Sequence, residues 1–137
     1  MHIYEVYINE TQIHLVMNYA EHGHLGQYLR LQTRLLSDTK IKLIMLQLLR
    51  GLYCLHKSGY YHRDLKPQNI LVTDSQIPKV QIADLGFCVQ RLNRQELYTR
   101  CGTPSYVDPE LLDGRPYKSE SDIFSLGCVF FNLISGH

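Results

Sequence analysis

HRDLKPQN, at residues 62–69, is the stretch that decides the fold of this chain. It brings three different polar groups into one short loop. Asp64 supplies a carboxylate that can accept a proton from an attacking hydroxyl, and Lys66 supplies an ammonium that can neutralise a phosphoryl group during its transfer. Asn69 adds a neutral oxygen ligand for a hard cation such as Mg²⁺. These groups are of the kinds that phosphoryl transfer uses.

Length and composition restrict the classes of protein that fit. The 137 residues suit one small domain, and a hydrophobic content of 45% is ample for a core. A net charge of +1 gives no electrostatic reason to expect nucleic acid or an anionic membrane as a partner. The N-terminus lacks the basic and apolar regions of a secretory signal, and the four cysteines lie far apart. These features predict a cytoplasmic or nuclear protein with reduced thiols, not a secreted one.

The hydrophobic periodicity on both sides of the loop predicts an α+β chain. Alternating apolar residues predict strands, whereas apolar residues at intervals of three and four predict helices. The predicted elements are a hairpin at 4–17 with its turn at 9–11, a linker at 18–26, a short helix from Leu25, a long helix capped by Ser37 that ends near Lys57, and two short strands at 70–73 and 79–83.

The C-terminal half gives a different pattern. Residues 86–118 show little periodicity, which predicts an irregular segment of the functional or disordered kind. A helix at about 120–134 is apolar nearly all round, so we expect other elements to bury it. Its apolar runs are too short to span a bilayer. We also expect Tyr60 and Tyr61 to pack in the core.

Three further motifs follow the loop along the chain: DLG at 84–86, CGTPSYVDPE at 101–110 and DIFSLG at 122–127. Together with HRDLKPQN they resemble the conserved motifs of eukaryotic-type protein kinases. The lysine that follows Asp-Leu in the loop resembles the serine/threonine-directed form, and the later motifs are most similar to the calmodulin-dependent-like group of kinases. The resemblance implies a partial protein-kinase fold with ATP and Mg²⁺ as cofactors. It implies a protein substrate, and regulatory proteins as further partners.

The resemblance also assigns chemical roles. Asp64 would be the catalytic base, with Lys66 as the stabiliser of the transferred charge. Asn69 and Asp84 would hold Mg²⁺ on the nucleotide phosphates. Thr103 would bond near Asp64 and Lys66.

The linker matches the position of the family's hinge, where a nucleotide base binds. Backbone groups of Asn18 and Ala20 would hold adenine, Met17 would be the gatekeeper, and Leu71 would form the floor of the pocket. Asp84 would reach the same nucleotide through the metal.

Regulatory and structural roles follow from the same resemblance. Tyr98 and Thr99 would be phosphorylation sites, and Arg63 would pair with the added phosphate. Asp122 would hold the 62–69 loop through its backbone amides. Glu110 would be a buried carboxylate whose usual arginine partner the chain does not provide.

Three residues depart from the family pattern. Leu85 stands where the family has Phe, Phe124 where Trp is frequent, and Asp108 where the family has Ala. The first two exchanges keep an apolar side chain. The third places a carboxylate where a methyl group is usual, and so favours a loss of activity.

The resemblance divides the chain into small-lobe strands (1–17), a hinge (18–26) and an incomplete large lobe (27–137), and we expect truncation at both ends. Neither the family's Gly-x-Gly-x-x-Gly loop nor its phosphate-binding lysine occurs in this sequence. We therefore expect the 137 residues by themselves to transfer phosphate very slowly or not at all. Three interpretations stay open: part of a serine/threonine kinase, a catalytically inactive kinase-like binding or regulatory module, and a fragment that never folds stably. Apolar surface on the last helix also favours self-association.

Overall fold

The computed structural model describes residues 2–136 and has the α+β architecture that the sequence predicts. Its strands are β1 (Ile3–Ile8), β2 (Ile13–Met17), β3 (Tyr60–Tyr61), β4 (Ile70–Asp74), β5 (Lys79–Ile82) and β6 (Val89–Gln90). Its helices are α1 (Leu25–Arg30), α2 (Asp38–Lys57), α3 (Pro109–Leu112) and α4 (Ser119–Ser135). Single 3₁₀ turns occur at Pro67–Asn69, Glu96–Tyr98 and Pro104–Tyr106. The strands pair as three antiparallel two-stranded sheets: β1 with β2, β3 with β6, and β4 with β5.

The predicted hairpin at the N-terminus is confirmed. The Asn9 side chain accepts hydrogen bonds from the backbone amides of Thr11 and Gln12, at 3.0 and 2.8 Å, and so closes the turn. Ile8 faces Ile13 across the two strands, which places the turn at residues 9–12. The linker at 18–26 then contacts β4. The His22 amide donates a hydrogen bond to the Val72 carbonyl, and the Val72 amide donates one to the Gly23 carbonyl.

The long helix α2 forms the centre of the described chain, as its periodicity predicts. Ser37 caps it by accepting a hydrogen bond from the Lys40 amide, and Gly59 adopts a φ of 84° just beyond its C-terminal end. One side of α2 packs on β5 and another side packs on α4. The main core consists of apolar side chains from α1, α2, α4, the 62–69 loop, β4 and β5: Leu25, Tyr28, Leu29, Ile41, Ile44, Leu48, Leu52, Leu65, Ile70, Val72, Val80, Leu126, Val129 and Leu133.

Helix α4 corrects the expectation of burial all round. Leu126, Val129 and Leu133 are buried, whereas Phe131 is 63% exposed and Phe130 is 43% exposed. The difference arises because the described elements pack against only one side of this helix. The opposite side presents an apolar surface to solvent.

Two smaller expectations are also corrected. Tyr61 is buried as predicted, but Tyr60 is 40% exposed, because the two side chains of a two-residue strand point to opposite faces. Residues 86–118 are not without structure, since they contain β6, two 3₁₀ turns and α3. These elements are too short to give a periodic sequence pattern.

Candidate active site

The 62–69 loop joins β3 to β4 and is bound by Asp122 of helix α4. Both carboxylate oxygens of Asp122 accept hydrogen bonds from the loop, from the amides of His62 and Arg63, each at 3.0 Å. Arg63 adopts a φ of 69°, a left-handed conformation that non-glycine residues rarely adopt. The Asp122 carboxylate thus stabilises a strained turn at the position where the loop presents its next residue, Asp64.

The Asp64 carboxylate lies at the centre of a small polar cluster. Thr103 Oγ1 donates to Asp64 Oδ1 at 2.7 Å, and Lys66 Nζ lies 2.8 Å from Asp64 Oδ2. Lys66 Nζ also donates to Thr103 Oγ1 at 2.8 Å, and Asn69 Nδ2 donates to Asp64 Oδ2 at 2.9 Å. Burial by itself raises the pKa of Asp64, but the hydrogen bonds from Lys66, Thr103 and Asn69 outweigh it and hold the pKa below its usual value. Asp64 is therefore ionised at neutral pH.

The orientation of Asn69 is fixed by the same cluster. Its Nδ2 donates to both the carbonyl and the carboxylate of Asp64, each at 2.9 Å. With the amide nitrogen turned to Asp64, the amide oxygen is the group that faces elsewhere and can serve as a metal ligand.

Asp84 lies two residues after the end of β5, beside the loop. The preceding residue, Ala83, donates its amide hydrogen to the Asn69 carbonyl at 2.8 Å, and its carbonyl lies 3.0 Å from His62 Nε2. Asp84 itself has a φ of 58° and an exposed side chain whose Oδ1 accepts a hydrogen bond from the Gly86 amide.

An exposed carboxylate and an oriented amide oxygen form a donor set that suits Mg²⁺. This ion commonly keeps several waters and takes only one or two protein carboxylates together with phosphate oxygens. Within the described chain no cluster of three or more His, Cys, Asp or Glu side chains could hold a metal ion. A magnesium–nucleotide complex would thus need to bring its own phosphate ligands to Asn69 and Asp84.

The predicted hinge residues lie next to β4. Met17, Asn18 and Ala20 are half-buried, and so is Leu71 on β4, whose backbone forms a bridge with His24. The Asn18 amide donates to the His2 carbonyl and the Ala20 carbonyl accepts from Gly23. Between residues 2 and 136 no hydrogen bond uses the Asn18 carbonyl or the Ala20 amide.

Arg63 connects the loop to the segment that follows β5. Its Nε donates to the Phe87 carbonyl and its Nη1 donates to the Glu96 carbonyl, both at 2.7 Å. Tyr98 and Thr99 are exposed and follow Glu96 within three residues. The arginine that was expected to pair with a phosphate therefore already binds two main-chain carbonyls.

Two residues that sequence reasoning missed complete the Asp122 site. Tyr117 Oη donates to Asp122 Oδ1 and His56 Nε2 lies beside Asp122 Oδ2, both at 2.7 Å. Burial raises the pKa of Asp122, but hydrogen bonds from His56, the two loop amides and Tyr117 outweigh it and lower the pKa overall. Burial, followed by the charge of Asp122, raises the pKa of Tyr117 far above its usual value, so the phenol stays protonated as a donor. The only sequence signal was that each is a polar aromatic near a motif.

Glu110 corrects one expectation from the motif at 101–110, whereas the expectation for Asp108 stays a prediction. Asp108 is buried, accepts a hydrogen bond from Ser121 Oγ at 2.7 Å and caps α3 by accepting one from the Glu110 amide. The carboxylate in the usual Ala position is therefore satisfied. Glu110 is half-exposed and pairs with Lys118 at 2.8 Å and Arg115 at 3.3 Å, so it is not a buried carboxylate without a partner. The Lys118 ammonium, 2.8 Å from Glu110 Oε2, holds the pKa of Glu110 below its usual value.

Comparisons with known proteins show the class to which the chain belongs. The protein kinase domain profile matches residues 1–137, and the chain belongs to the protein kinase family. It is similar to the serine/threonine-protein kinase PLK4 of Nematostella vectensis (37% identity over 99% of this chain and 14% of that protein). It is also similar to the serine/threonine-protein kinase Nek8 of Danio rerio (38% identity, 96% of this chain, 19% of that protein).

A solved structure shows the same fold. The yeast RNA Pol II CTD kinase CTDK-1 complex contains a chain that matches 98% of this chain with a TM-score of 0.85 and 28% identity, over 44% of its own length. The present chain thus spans less than a fifth of the two curated relatives and under half of the solved kinase chain. No helix in residues 2–136 is long and apolar enough to cross a membrane.

Proposed function

We propose that this chain contributes the catalytic loop and activation segment of a protein serine/threonine kinase that transfers phosphate from ATP to protein hydroxyls. The observation that carries the proposal is the cluster around Asp64. A carboxylate, an ammonium, a hydroxyl and an amide meet there within hydrogen-bonding distance. We further propose the division into small-lobe strands (1–17), hinge (18–26) and large-lobe portion (27–137), although Met1 and His137 lie outside the described residues.

The chemistry follows from the positions of these groups. Asp64 orients the acceptor hydroxyl and takes its proton while the hydroxyl oxygen bonds to the γ-phosphorus. The bond from that phosphorus to the β–γ bridging oxygen breaks, and ADP leaves with the electron pair. Lys66, already beside Asp64, stabilises the negative charge on the transferred group. A lowered pKa makes Asp64 a weak base, which suits a role of positioning more than of strong proton abstraction.

The nucleotide would bind between the linker and β4. The Asn18 carbonyl and the Ala20 amide would contact adenine, with Met17 and Leu71 as apolar walls. Mg²⁺, held by Asn69 and Asp84, would supply charge neutralisation on the phosphates. We propose a cytoplasmic or nuclear location for the protein.

A second candidate function is a kinase-like module that binds regulatory partners without catalysis. The apolar side of α4, with Phe130 and Phe131 exposed, favours it. Asp108, which stands at the family's usual Ala position, also favours it, and Ser121 donates a hydrogen bond to this carboxylate.

The test compares the complete native protein that carries this chain with its Asp64→Asn variant, using radiolabelled ATP, Mg²⁺ and a library of Ser, Thr and Tyr peptides. We expect label on Ser and Thr, and a loss of about 10²–10⁴-fold in kcat for Asp64→Asn. Asp113→Asn is the matched control, since Asp113 is exposed at the end of α3. Thermal unfolding shows whether each variant is folded. Equal turnover by Asp64→Asn would refute the role of Asp64, whereas nucleotide binding without turnover by the unaltered protein would favour the second candidate.

A further inference from the structure

A buried carboxylate, that of Asp108, links the segment that carries Thr103 to helix α4. Asp108 is 7% exposed, and its Oδ2 accepts a hydrogen bond at 2.7 Å from Oγ of Ser121, which is 1% exposed. Its Oδ1 accepts a second hydrogen bond, at 3.0 Å, from the Glu110 amide and so caps α3. An alanine, the residue of the family pattern at this position, could form neither bond. The link is therefore a feature of this chain and not of the pattern that it resembles.

Ser121 lies beside the residue that holds the other half of the site. The next residue of α4 is Asp122, whose carboxylate accepts hydrogen bonds from the two backbone amides immediately before Asp64. Two consecutive residues of one helix thus bind two different segments. Asp122 binds the loop that presents Asp64, and Ser121 binds, through Asp108, the segment that presents Thr103.

The segment between Thr103 and Asp108 is short and stiff. Pro104 begins a 3₁₀ turn, and the Tyr106 amide closes this turn by donating a hydrogen bond to the Thr103 carbonyl at 2.8 Å. The Tyr106 carbonyl accepts a hydrogen bond from Ser125 Oγ of α4 at 2.7 Å, but this contact is only partly buried. The bond at Asp108 has two buried partners, so water competes less with it. A displacement of Asp108 is therefore transmitted along the segment to Thr103.

The position of Thr103 matters because its hydroxyl touches both charged groups of the polar cluster. Thr103 Oγ1 donates to Asp64 Oδ1 at 2.7 Å and accepts from Lys66 Nζ at 2.8 Å. Gly102, just before it, has a φ of 98°, and a Cβ atom there would lie 2.7 Å from the Arg63 carbonyl oxygen. The segment thus passes against the 62–69 loop with no space to spare. A shift of about 1 Å away from the loop would break the bond to Asp64.

We propose that Asp108 is a positioning residue for phosphoryl transfer. Through Ser121 it fixes Thr103 against Asp64, so that the Asp64 carboxylate stays oriented towards the acceptor hydroxyl. The inference rests on the proposed kinase function and adds a residue that touches neither the nucleotide nor the acceptor. It also reverses the effect expected from the family pattern, in which a carboxylate at this position favours a loss of activity.

The test measures kcat and KM of the complete native protein and its variants, with radiolabelled ATP and a serine peptide. Asp108→Ala and Ser121→Ala should each lower kcat by up to about 10-fold, the effect of losing one hydrogen bond in the transition state. The KM for ATP should change by less than about 2-fold, because the contact at Asp64 does not bind the nucleotide. Asp108→Asn keeps an acceptor oxygen for Ser121 and should keep most of the turnover. Asp113→Ala, at an exposed site five residues further on, is the matched control and should leave kcat unchanged.

A double-mutant cycle with Thr103→Val separates positioning from a general loss of structure. If Asp108 acts through Thr103, adding Asp108→Ala to Thr103→Val should lower kcat by less than about 2-fold further, because the contact is already lost. Thermal unfolding shows whether each variant is folded, and Ser121→Ala takes the place of Asp108→Ala in the cycle if the latter is not. Losses that multiply in the double variant, or an unchanged or higher kcat in both Asp108→Ala and Ser121→Ala, would overturn the proposal.

Crystal structures of the complete native protein and of its Asp108→Ala variant give a readout that does not depend on turnover. The distance from Thr103 Oγ1 to Asp64 Oδ1 should increase from 2.7 Å to beyond the hydrogen-bonding limit of about 3.5 Å. If Thr103 moves in this way but the unaltered protein never phosphorylates a peptide, the kinase function is refuted, and the coupling of Asp108 to Thr103 stands. If phosphate transfer is rapid but the contact is the same in both structures, the role of Asp108 is refuted, and the kinase function stands.

Discussion

Replacing Asp122 with alanine is expected to destabilise the protein strongly, and the structure allows the size of the effect to be worked out. The buried carboxylate accepts four hydrogen bonds, from the amides of His62 and Arg63, from Tyr117 Oη and from His56. His56 is partly exposed and can bind water instead, but the other three donors are buried. A buried donor without a partner costs about 1–3 kcal/mol. Three such donors, partly relieved by water that enters the vacated space, give a loss of about 3–5 kcal/mol.

Urea unfolding of the complete native protein and of Asp122→Ala measures this loss. Hydrogen exchange localises it, since the amides of His62 and Arg63 should exchange faster once their acceptor is gone. Asp122→Asn keeps an acceptor oxygen and should lose about half as much. Asp113→Ala, at an exposed site, is the control and should change stability by less than about 0.5 kcal/mol. A loss below about 1 kcal/mol in Asp122→Ala, with both amides still protected, would refute the reasoning.

Three further predictions concern the same region. Thr103→Val removes the hydrogen bond to Asp64 but keeps the side-chain shape, and kinase assays should show kcat/KM about 10-fold lower with little change in Tm. Asp108→Ala removes both the cap of α3 and the bond to Ser121, so urea unfolding should show a loss of about 1–3 kcal/mol, larger than that of Ser121→Ala. The folded state lowers the pKa of Asp122, so its contribution is present above the unfolded pKa of about 3.9 and is lost as pH falls through the lower folded value. When the pH is lowered from 6 to 3, the free energy of unfolding of Asp122→Ala should therefore fall by less than that of the unaltered protein.

Each of these three has an outcome that would contradict it. An unchanged kcat/KM in Thr103→Val would show that the hydroxyl does not position the base. Equal stability of Asp108→Ala and Ser121→Ala would show that the helix cap contributes nothing. Parallel pH curves for Asp122→Ala and the unaltered protein would show that the carboxylate is not linked to folding.

The sequence predicted the elements whose signals are local. Alternation of apolar residues predicted the hairpin, and the Ser37 cap with its 3.6-residue period predicted α2, because neighbours along the chain determine both patterns. The 62–69 motif located Asp64, Lys66 and Asn69 of the polar cluster, and the resemblance to protein kinases added Thr103. The roles of the motif in catalysis and metal binding stay predictions.

The parts that the sequence did not predict depend on long-range contacts. The segment after β6 is held by Arg63, whose partners Phe87 and Glu96 are 24 and 33 residues away. His56 is 66 residues from Asp122 in sequence, and Tyr117, only five residues before Asp122, lies outside helix α4 and so shares no periodic pattern with it. Local periodicity carries no information on such contacts. It therefore could not predict the short elements or the two side chains that donate hydrogen bonds to Asp122.

The carboxylate of Asp122 also constrains the order of assembly. Its donors come from the end of α2, from the strained turn and from the residue five positions before it. A carboxylate that leaves water before its donors have arrived is an uncompensated charge, at a cost of several kcal/mol. Docking of α4 is therefore favourable only after α2 and the turn are in place. We therefore expect α4, the end of α2 and the loop that positions Asp64 to fold together.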